Sequence, residues 1–532
     1  MKNKFTKSNT ILKVLFYLLP SLLVLNSCTK LEEEVYGRIT VGAGGASGVI
    51  PTPDLTAAYE SINGLINQEN WYAFSTHSTD ELLGPTRGTD WDDFGTWRKI
   101  HLHTWDANHN QVKNAWNGLN SGFYKSTLVA ELSQGTTKAE GQFLRGFFGY
   151  LILDLYGKIQ YTAANSGPDD LPKQLTRSEA YDFVLADLTA AYQGLTLWTP
   201  NTKHKATKEA AGFLLAKLIL NKAVYKKDPT NPGGPYTFDA ADMNQVIQIC
   251  DAIQATGKFS LTNDYWKNFT SDNADSSKEL IFSRGGRENY QGQTGGKINM
   301  IWYTAMGSHY NDFFGGWNGF TTTSDFYNSF SAIDRRREAK LDSTWPITGF
   351  VAGFRKGQQY KSGKEEVSNI VKDRSGSPLS FTEDVSLYFS SESKGIRTNK
   401  FPMNAKYFKD NQWGETNDFP FFRYADVLLM KAEAILRGGT ATGGQTALIL
   451  VNSVRARSGA TTLSSVDLPA LLAERGRELY LECWRRSDRI RFGVFNDPVI
   501  ERATKSAPYR VVLPIPTLAI AANPNLTQNF GY

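Results

Sequence analysis

Trp317 sits in Gly315-Gly316-Trp317-Asn318-Gly319, where glycines on both sides leave the indole little to pack against and supply a turn that can display it. A flat ring held beside Asp, Asn or Arg is chemistry for carbohydrate: apolar C–H faces lie on the ring while the polar groups bond hydroxyls. Trp91, in Gly88-Thr89-Asp90-Trp91-Asp92-Asp93, has the same character, an aromatic among three carboxylates and a glycine. Each indole also has a plain structural use, Trp317 as a plug of its loop and Trp91 as a core anchor. Trp97 is a weaker candidate, with Trp71 and Trp302, because apolar neighbours favour burial. Polar partners come from Asp80, Asp90 and Arg397, with Tyr424 opening a later helical run. Arg397 lies in the strand-like Gly395-Ile396-Arg397-Thr398-Asn399-Lys400 ahead of Phe401-Pro402, where its planar guanidinium can span two hydroxyls.

Other chemistries are less well served. A glycoside hydrolase built on Asp80 and Asp92 needs carboxyls about 5–10 Å apart, one with a raised pKa, and nothing local isolates one acid from the others. His101 and His103 would share one face of a strand, but no Cys or carboxylate spacing completes a zinc set. The Asp90/Asp92/Asp93 cluster suggests at most a structural calcium and lacks the ligand spacing and glycine of a dedicated loop. No cofactor is expected. Arg423 and Asp426 flank a helix start and read as a structural ion pair, and Arg475, Glu478, Arg485, Asp488 and Arg491 read as an ion-pair lattice on a buried seam.

The 532 residues are 41% hydrophobic, enough for a large core, and 21% charged. Lys and Arg total 58 against 53 acids, and four of the lysines (Lys2, Lys4, Lys7, Lys13) lie in the first 27 residues with no acid among them. The remainder is almost neutral, which excludes the basic field of a nucleic-acid binder. What stands out is aromatic content: 12 Trp, 24 Tyr and 31 Phe.

Residues 1–27 combine that basic start with an apolar stretch, Val14 to Leu25, too short to span a bilayer, and read as a secretory signal peptide. Leu25-Asn26-Ser27-Cys28 looks like a bacterial lipobox, making Cys28 the acylated mature N-terminus, with two or three acyl chains holding the body to a membrane. Cys250 and Cys483 then remain as buried free thiols in helix-like stretches. The acidic run Glu32-Glu33-Glu34 and the Gly-rich Val41 to Gly48 form a solvated tether over residues 28–50.

Helix signals fall in two blocks. Thr137-x-x-Glu140 and Thr176-x-x-Glu179 have capping-box spacing. Phe143, Leu144, Phe147, Phe148, Leu151, Ile152 and Leu155 then make a wide apolar stripe on a helix that ends at Gly157. Further helical runs are predicted at about 177–194, 207–226 and 240–256, spaced like tetratricopeptide helix pairs, with small residues (Gly146, Ala186, Ala211, Gly212, Ala216) at the crossings. Between about 257 and 420 the period collapses into Gly, Ser, Asn and aromatics, a long irregular region of the kind that carries function. Helices return at about 423–437, 443–457 and 467–491.

Phe422-Arg423-Tyr424-Ala425-Asp426, Val451-Asn452-Ser453-Val454-Arg455-Ala456-Arg457, Glu474-Arg475-Gly476-Arg477-Glu478-Leu479 and Arg485-Arg486-Ser487-Asp488-Arg489-Ile490-Arg491 follow in order. With Leu513-Pro514-Ile515-Pro516 and the closing Asn529-Phe530-Gly531-Tyr532 behind a lipobox, the chain resembles the SusD/RagB family of outer-membrane nutrient-binding lipoproteins. Ala139 to Gly157 resembles that family's first strong helix, and Ser78-Thr79-Asp80-Glu81 with Thr86 to Trp91 resembles its N-terminal segment. The resemblance implies one all-α domain over 51–532, about four tetratricopeptide-like helix pairs (about 51–256 and 421–532) around a loop-rich insertion at about 257–420. It implies a non-catalytic protein anchored in the outer membrane and facing outward, a lid on a SusC-like TonB-dependent transporter that receives oligosaccharide or, in some lineages, peptide. The acidic run after Cys28 resembles the export signal of surface lipoproteins in Bacteroidetes-type bacteria. Arg397 and Tyr424 fall where some fructan-binding members touch sugar. A helical-repeat adaptor that binds only protein is the competing reading; the Trp-rich central loops argue against it.

Overall fold

The computed structural model describes residues 51–167, 169–285, 306–307, 309–312, 316–340, 351–361, 367–402 and 417–532. The leader, Cys28, the tether, Trp302 and Gly315 of the sequence reading lie outside the described residues. No helix among the described residues is long and apolar enough to cross a membrane.

Helices α1 (Leu55–Glu60), α2 (Trp71–His77) and α3 (Thr96–His101) lead into the long pair α4 (Asn110–Leu132) and α5 (Gly135–Tyr156), followed by α6 (Arg177–Gly194), α7 (Lys208–Leu220) and α8 (Ala240–Ala255). The second block holds α9 (Tyr424–Leu436), α10 (Ala447–Arg457), α11 (Leu468–Leu479) and α12 (Arg485–Arg491). Each long helix packs on the next, and α8 packs directly on α9 although the insertion lies between them in sequence. The mainly helical scaffold expected from the spacing is therefore one continuous stack of helix pairs with the insertion looped out of its middle.

The seven apolar residues of the α5 stripe are all buried, and α5 stops at Gly157, whose φ of 69° is the left-handed cap the sequence predicts. Glycines let the helices approach closely: a Cβ on Gly146 would lie 2.6 Å from Leu188 of α6, and one on Gly141 would lie 2.5 Å from the backbone of Ala130 in α4. The Thr176–Glu179 capping box forms as predicted. The Thr137–Glu140 box does not, because α5 begins two residues earlier and Glu140 instead accepts the Tyr59 hydroxyl at 2.6 Å. The sequence reading has no helix at α4, whose buried face mixes Val112, Trp116, Leu119 and Phe123 with Gln111, Asn120, Ser126 and Thr127. Asn120, Ser126 and Thr127 satisfy themselves on carbonyls one turn back, so polar residues sit inside an apolar face and blur its period. The run 467–491 is two helices: Leu481 and Cys483 adopt positive φ at the break.

Short strands join the scaffold to the insertion. Strand β1 (Leu280–Arg284) leaves the first block, β2 (Glu338–Lys340), β3 (Val351–Arg355) and β4 (Arg397–Asn399) form a three-stranded antiparallel sheet, and β5 (Phe419–Arg423) returns antiparallel to β1. Every residue of β1 and β5 is buried, so entry and exit of the insertion are clamped at one place.

Beside that clamp runs the predicted ion-pair lattice. Arg423 binds Glu482, Glu279 and Glu478 at 2.7–3.0 Å, Arg336 binds Glu474 at 2.6 Å, Arg475 bridges Asp488 and Asp426, and Arg491 chelates Glu433. Arg423 and Asp426 are structural but not each other's partners: Asp426 turns to Lys217 and Arg475. Arg485 leaves this seam for Asp80.

Candidate functional site

The segment Thr86–Arg98 and the loop Gly316–Phe320, far apart in sequence, form one face. Trp91 donates its indole N–H to the carbonyl of Asn318 at 2.6 Å, and the Trp91 and Trp317 ring centroids lie 6.1 Å apart at 46°. Both indoles are half-buried and packed against the core. Trp97, buried as its apolar neighbours suggested, supports the face from beneath: its ring meets Phe320 at 5.0 Å and its N–H is accepted by Asp93 at 2.7 Å. Trp71 is likewise core, against Trp484 and Phe421.

The displaying turn is held by two buried guanidiniums. Arg397, on β4, donates to the Gly319 carbonyl at 3.0 Å, to Asn318 Oδ1 at 2.8 Å and to the Glu392 carbonyl at 3.0 Å. Arg87 donates to the same Gly319 carbonyl at 3.2 Å and to the Lys394 carbonyl at 2.7 Å. Burial pushes Arg397 well below and Arg87 down to about 9 from the usual arginine range, the cost of desolvating a cation that meets mainly carbonyls. Arg397 is expected from sequence to span sugar hydroxyls; fully buried, it positions the turn instead.

Asp90 is at this face and pairs with Arg374 at 2.8 Å; Arg374 also reaches Glu392 at 3.3 Å and lies 4.7 Å over the Tyr310 ring. The three clustered carboxylates diverge, Asp90 to Arg374, Asp92 to Arg98 and Asp93 to Trp97, so they do not converge on a cation. Among the described residues no group of three or more His, Cys, Asp or Glu is arranged to hold a metal ion.

Asp80 is elsewhere in function. Its carboxylate takes two bonds from Arg485, at 2.8 and 2.6 Å, and one from Arg489 at 2.7 Å, and these cations hold its pKa well below the carboxylate range despite burial. It clamps the end of α2 to α12, and neither a sugar hydroxyl nor hydrolysis with Asp92 is open to it. Tyr424, at the start of α9, stacks on Phe259 with centroids 6.5 Å apart, within the helical scaffold rather than on the Trp91–Trp317 face. His101 ends a helix and bonds the Ile500 carbonyl, while His103 bridges Ser506 and the Ser78 carbonyl, so the strand that would have aligned them is not formed.

Sequence reasoning missed Arg374, Glu392, Tyr310 and an aromatic group around Arg98. Phe94 in Asp92-Asp93-Phe94-Gly95 carries the signal that marked Trp91 and Trp317, a ring without apolar neighbours, whereas Tyr388 and Phe389 in Ser386-Leu387-Tyr388-Phe389-Ser390 lack it because Leu387 and each other are apolar.

Residues 278–499, which contain β1, β5 and the whole second helical block, match the family model described as the SusD family. The starch-binding protein SusD of Bacteroides thetaiotaomicron is 24% identical over 536 residues, covering 94% of this chain and 91% of that protein. The chain is thus similar to the SusD family, through the family model over its second half and a relative along nearly its whole length. A SusD-like protein of Formosa agariphila is 35% identical over 156 residues, 25% of this chain and 29% of its own. Among solved structures, surface glycan-binding protein A of Bacteroides fluxus superposes with a TM-score of 0.66 at 20% identity, covering 90% of this chain and 98% of that one. Surface glycan-binding protein A of B. thetaiotaomicron in complex with laminarihexaose gives 0.66 at 18% identity, covering 89% and 98%. These likenesses establish the SusD fold of the chain.

Proposed function

We propose that this chain is a lipid-anchored surface protein that captures oligosaccharide on the Trp91–Trp317 face and passes it to a SusC-like TonB-dependent transporter of the outer membrane. The observation that carries the reading is the meeting of two half-buried indoles, Trp91 and Trp317, the second on a turn pinned by Arg397 and Arg87. A pyranose ring laid on them buries its C–H face, and the Asp90–Arg374 pair at the edge offers both acceptors and donors to hydroxyls. Because the turn is already pinned, binding costs little ordering entropy.

The face is suited to holding, not cutting. Asp90 and Asp92 are each engaged by a guanidinium, Arg374 for one and Arg98 for the other, so the two carboxyls are not set facing each other across a bond to be cut. Relatives named for starch and laminarin favour a glucan as cargo. Anchoring rests on Cys28 and its lipobox, delivery on the family resemblance.

Native gels containing starch, laminarin, levan, inulin, xylan, pectin, mannan or mucin glycans test the reading, with Trp317→Ala and Trp91→Ala beside the unaltered protein. Retardation by a glucan that both substitutions abolish is expected; retardation that survives both would move the site elsewhere. Incorporation of labelled palmitate, lost in Cys28→Ala, tests the anchor, and co-purification with an outer-membrane barrel protein tests the partner.

A further inference from the structure

We infer that Phe94, on the turn whose Asp92 pairs with Arg98, and Tyr388 and Phe389, on the loop whose Tyr388 ring lies under Arg98, form a second ring-binding subsite that takes the next residues of a glucan already seated on Trp91 and Trp317; the inference rests on the reading of that first face.

These rings are displayed at a cost. Phe94 is 95% exposed, Phe389 86% and Tyr388 47%, each leaving apolar surface in water that burial against a ligand would recover. Phe94 is also held in a conformation that side chains avoid: φ is 62° at Trp91, 38° at Asp93 and 53° at Phe94. Such backbone persists only where its surroundings over-determine it, and it concentrates at functional sites. Here the Gly95 N–H donates to the Asp92 carbonyl at 2.6 Å, Asp93 takes the Trp97 indole N–H and Asp92 takes Arg98 at 2.7 Å. The same short turn thus presents Trp91 to the first face and Phe94 to the second.

Arg98 joins the two. It pairs with Asp92, next to Trp91, and its guanidinium lies 5.4 Å from the centroid of the Tyr388 ring. The loop that carries Tyr388 and Phe389 is tied to the same segment by the Thr86 N–H on the Leu387 carbonyl and the Ser390 N–H on the Thr86 carbonyl, at 3.1 and 3.0 Å. The exposed large hydrophobics of this patch are all aromatic: the Tyr388 and Phe389 ring centroids lie 6.4 Å apart, with the paired Arg98–Asp92 and the flanking Ser386 and Ser390 beside them. Exposed rings beside a charged pair and hydroxyls suit a chain of sugars, whose C–H faces lie on rings while polar groups bond hydroxyls, better than the charge-poor centre of a protein interface. A ligand reaching both faces binds in proportion to its length, because the second contact is made within an existing complex.

Calorimetry with trimers and heptamers of the starch and laminarin series tests this, using the unaltered protein, Phe94→Ala, the pair Tyr388→Ala/Phe389→Ala, and Trp317→Ala. The unaltered protein is expected to prefer a heptamer over its trimer by about tenfold. The double substitution should erase that preference and leave trimer affinity unchanged, Phe94→Ala should reduce it, and Trp317→Ala should lose both ligands. All substituted side chains are exposed or half-exposed, and equal melting temperatures would verify folding. If the double variant keeps the length preference, the second subsite is wrong while the first stands, and loss of a co-purifying membrane protein in that variant would reassign the patch to a protein partner. If the unaltered protein binds neither series, the glucan reading of the first face falls and this inference with it.

Discussion

The indole N–H of Trp91 is bonded to the backbone carbonyl of Asn318, 227 positions further along the chain, at 2.6 Å. That bond ties a turn of the first helical block to the insertion and sets the two tryptophans side by side. Trp91→Phe keeps a ring but strands the Asn318 carbonyl, a loss of about 1–3 kcal/mol for an unpaired polar group. Glycan affinity should fall severalfold in Trp91→Phe and vanish in Trp317→Ala, as titrated by tryptophan fluorescence or calorimetry.

Arg397 is predicted to act on ligand only through the turn it pins. Arg397→Lys removes the fork that reaches Gly319, Asn318 and Glu392 together. It should lower the melting temperature and weaken glycan binding in parallel, and altered Trp317 emission without ligand would separate a displaced turn from a lost sugar contact.

Asp80→Asn leaves Arg485 and Arg489 buried and short of their anion. Breaking such a pair costs about 3–5 kcal/mol. Urea unfolding should show this loss, while the folded fraction should bind glycan with unchanged affinity, in contrast to a residue that touches sugar.

Acid should unfold the protein through its ion-pair lattice. Guanidiniums around Glu433, Glu474 and Glu478 hold each pKa at about 2 against burial, compared with about 4.5 for an unpaired glutamate. A depressed folded pKa gives stability that is complete above the unfolded value and lost as pH falls through the folded one. These three glutamates should therefore add no pH dependence between neutral pH and about 4.5, and the urea midpoint should fall steeply between about 4.5 and 2.

Glu81 should act in the opposite direction. It is buried, accepts one bond from the Leu481 N–H, and desolvation raises its pKa to about 8. The folded state keeps its proton where the unfolded state has released it, so stability falls as pH rises from about 4.5 to 8 and then levels. Glu81→Gln should be near neutral at pH 4 and raise the melting temperature progressively above it.

Local order accounts for what the sequence by itself determined. The α5 stripe, the Gly157 stop, the Thr176 capping box and the collapse of period in the insertion are written in neighbouring residues, and collinear motifs along the chain pointed to the SusD family. Trp91 and Trp317 were legible as candidates too, because the glycines and acids beside them leave a ring little local cover. What only the tertiary structure decided is whom each polar group meets. Asp80 and Arg397 look in sequence like free hydrogen-bonding residues, yet each spends its capacity on partners tens to hundreds of positions away, Arg485 and Arg489 for one, Gly319 and Asn318 for the other. Helix α4 was hidden for a related reason, since its buried polar side chains are satisfied one turn back along their own helix. A buried charge must find a partner or pay its desolvation, and packing, not spacing, chooses which partner is within reach.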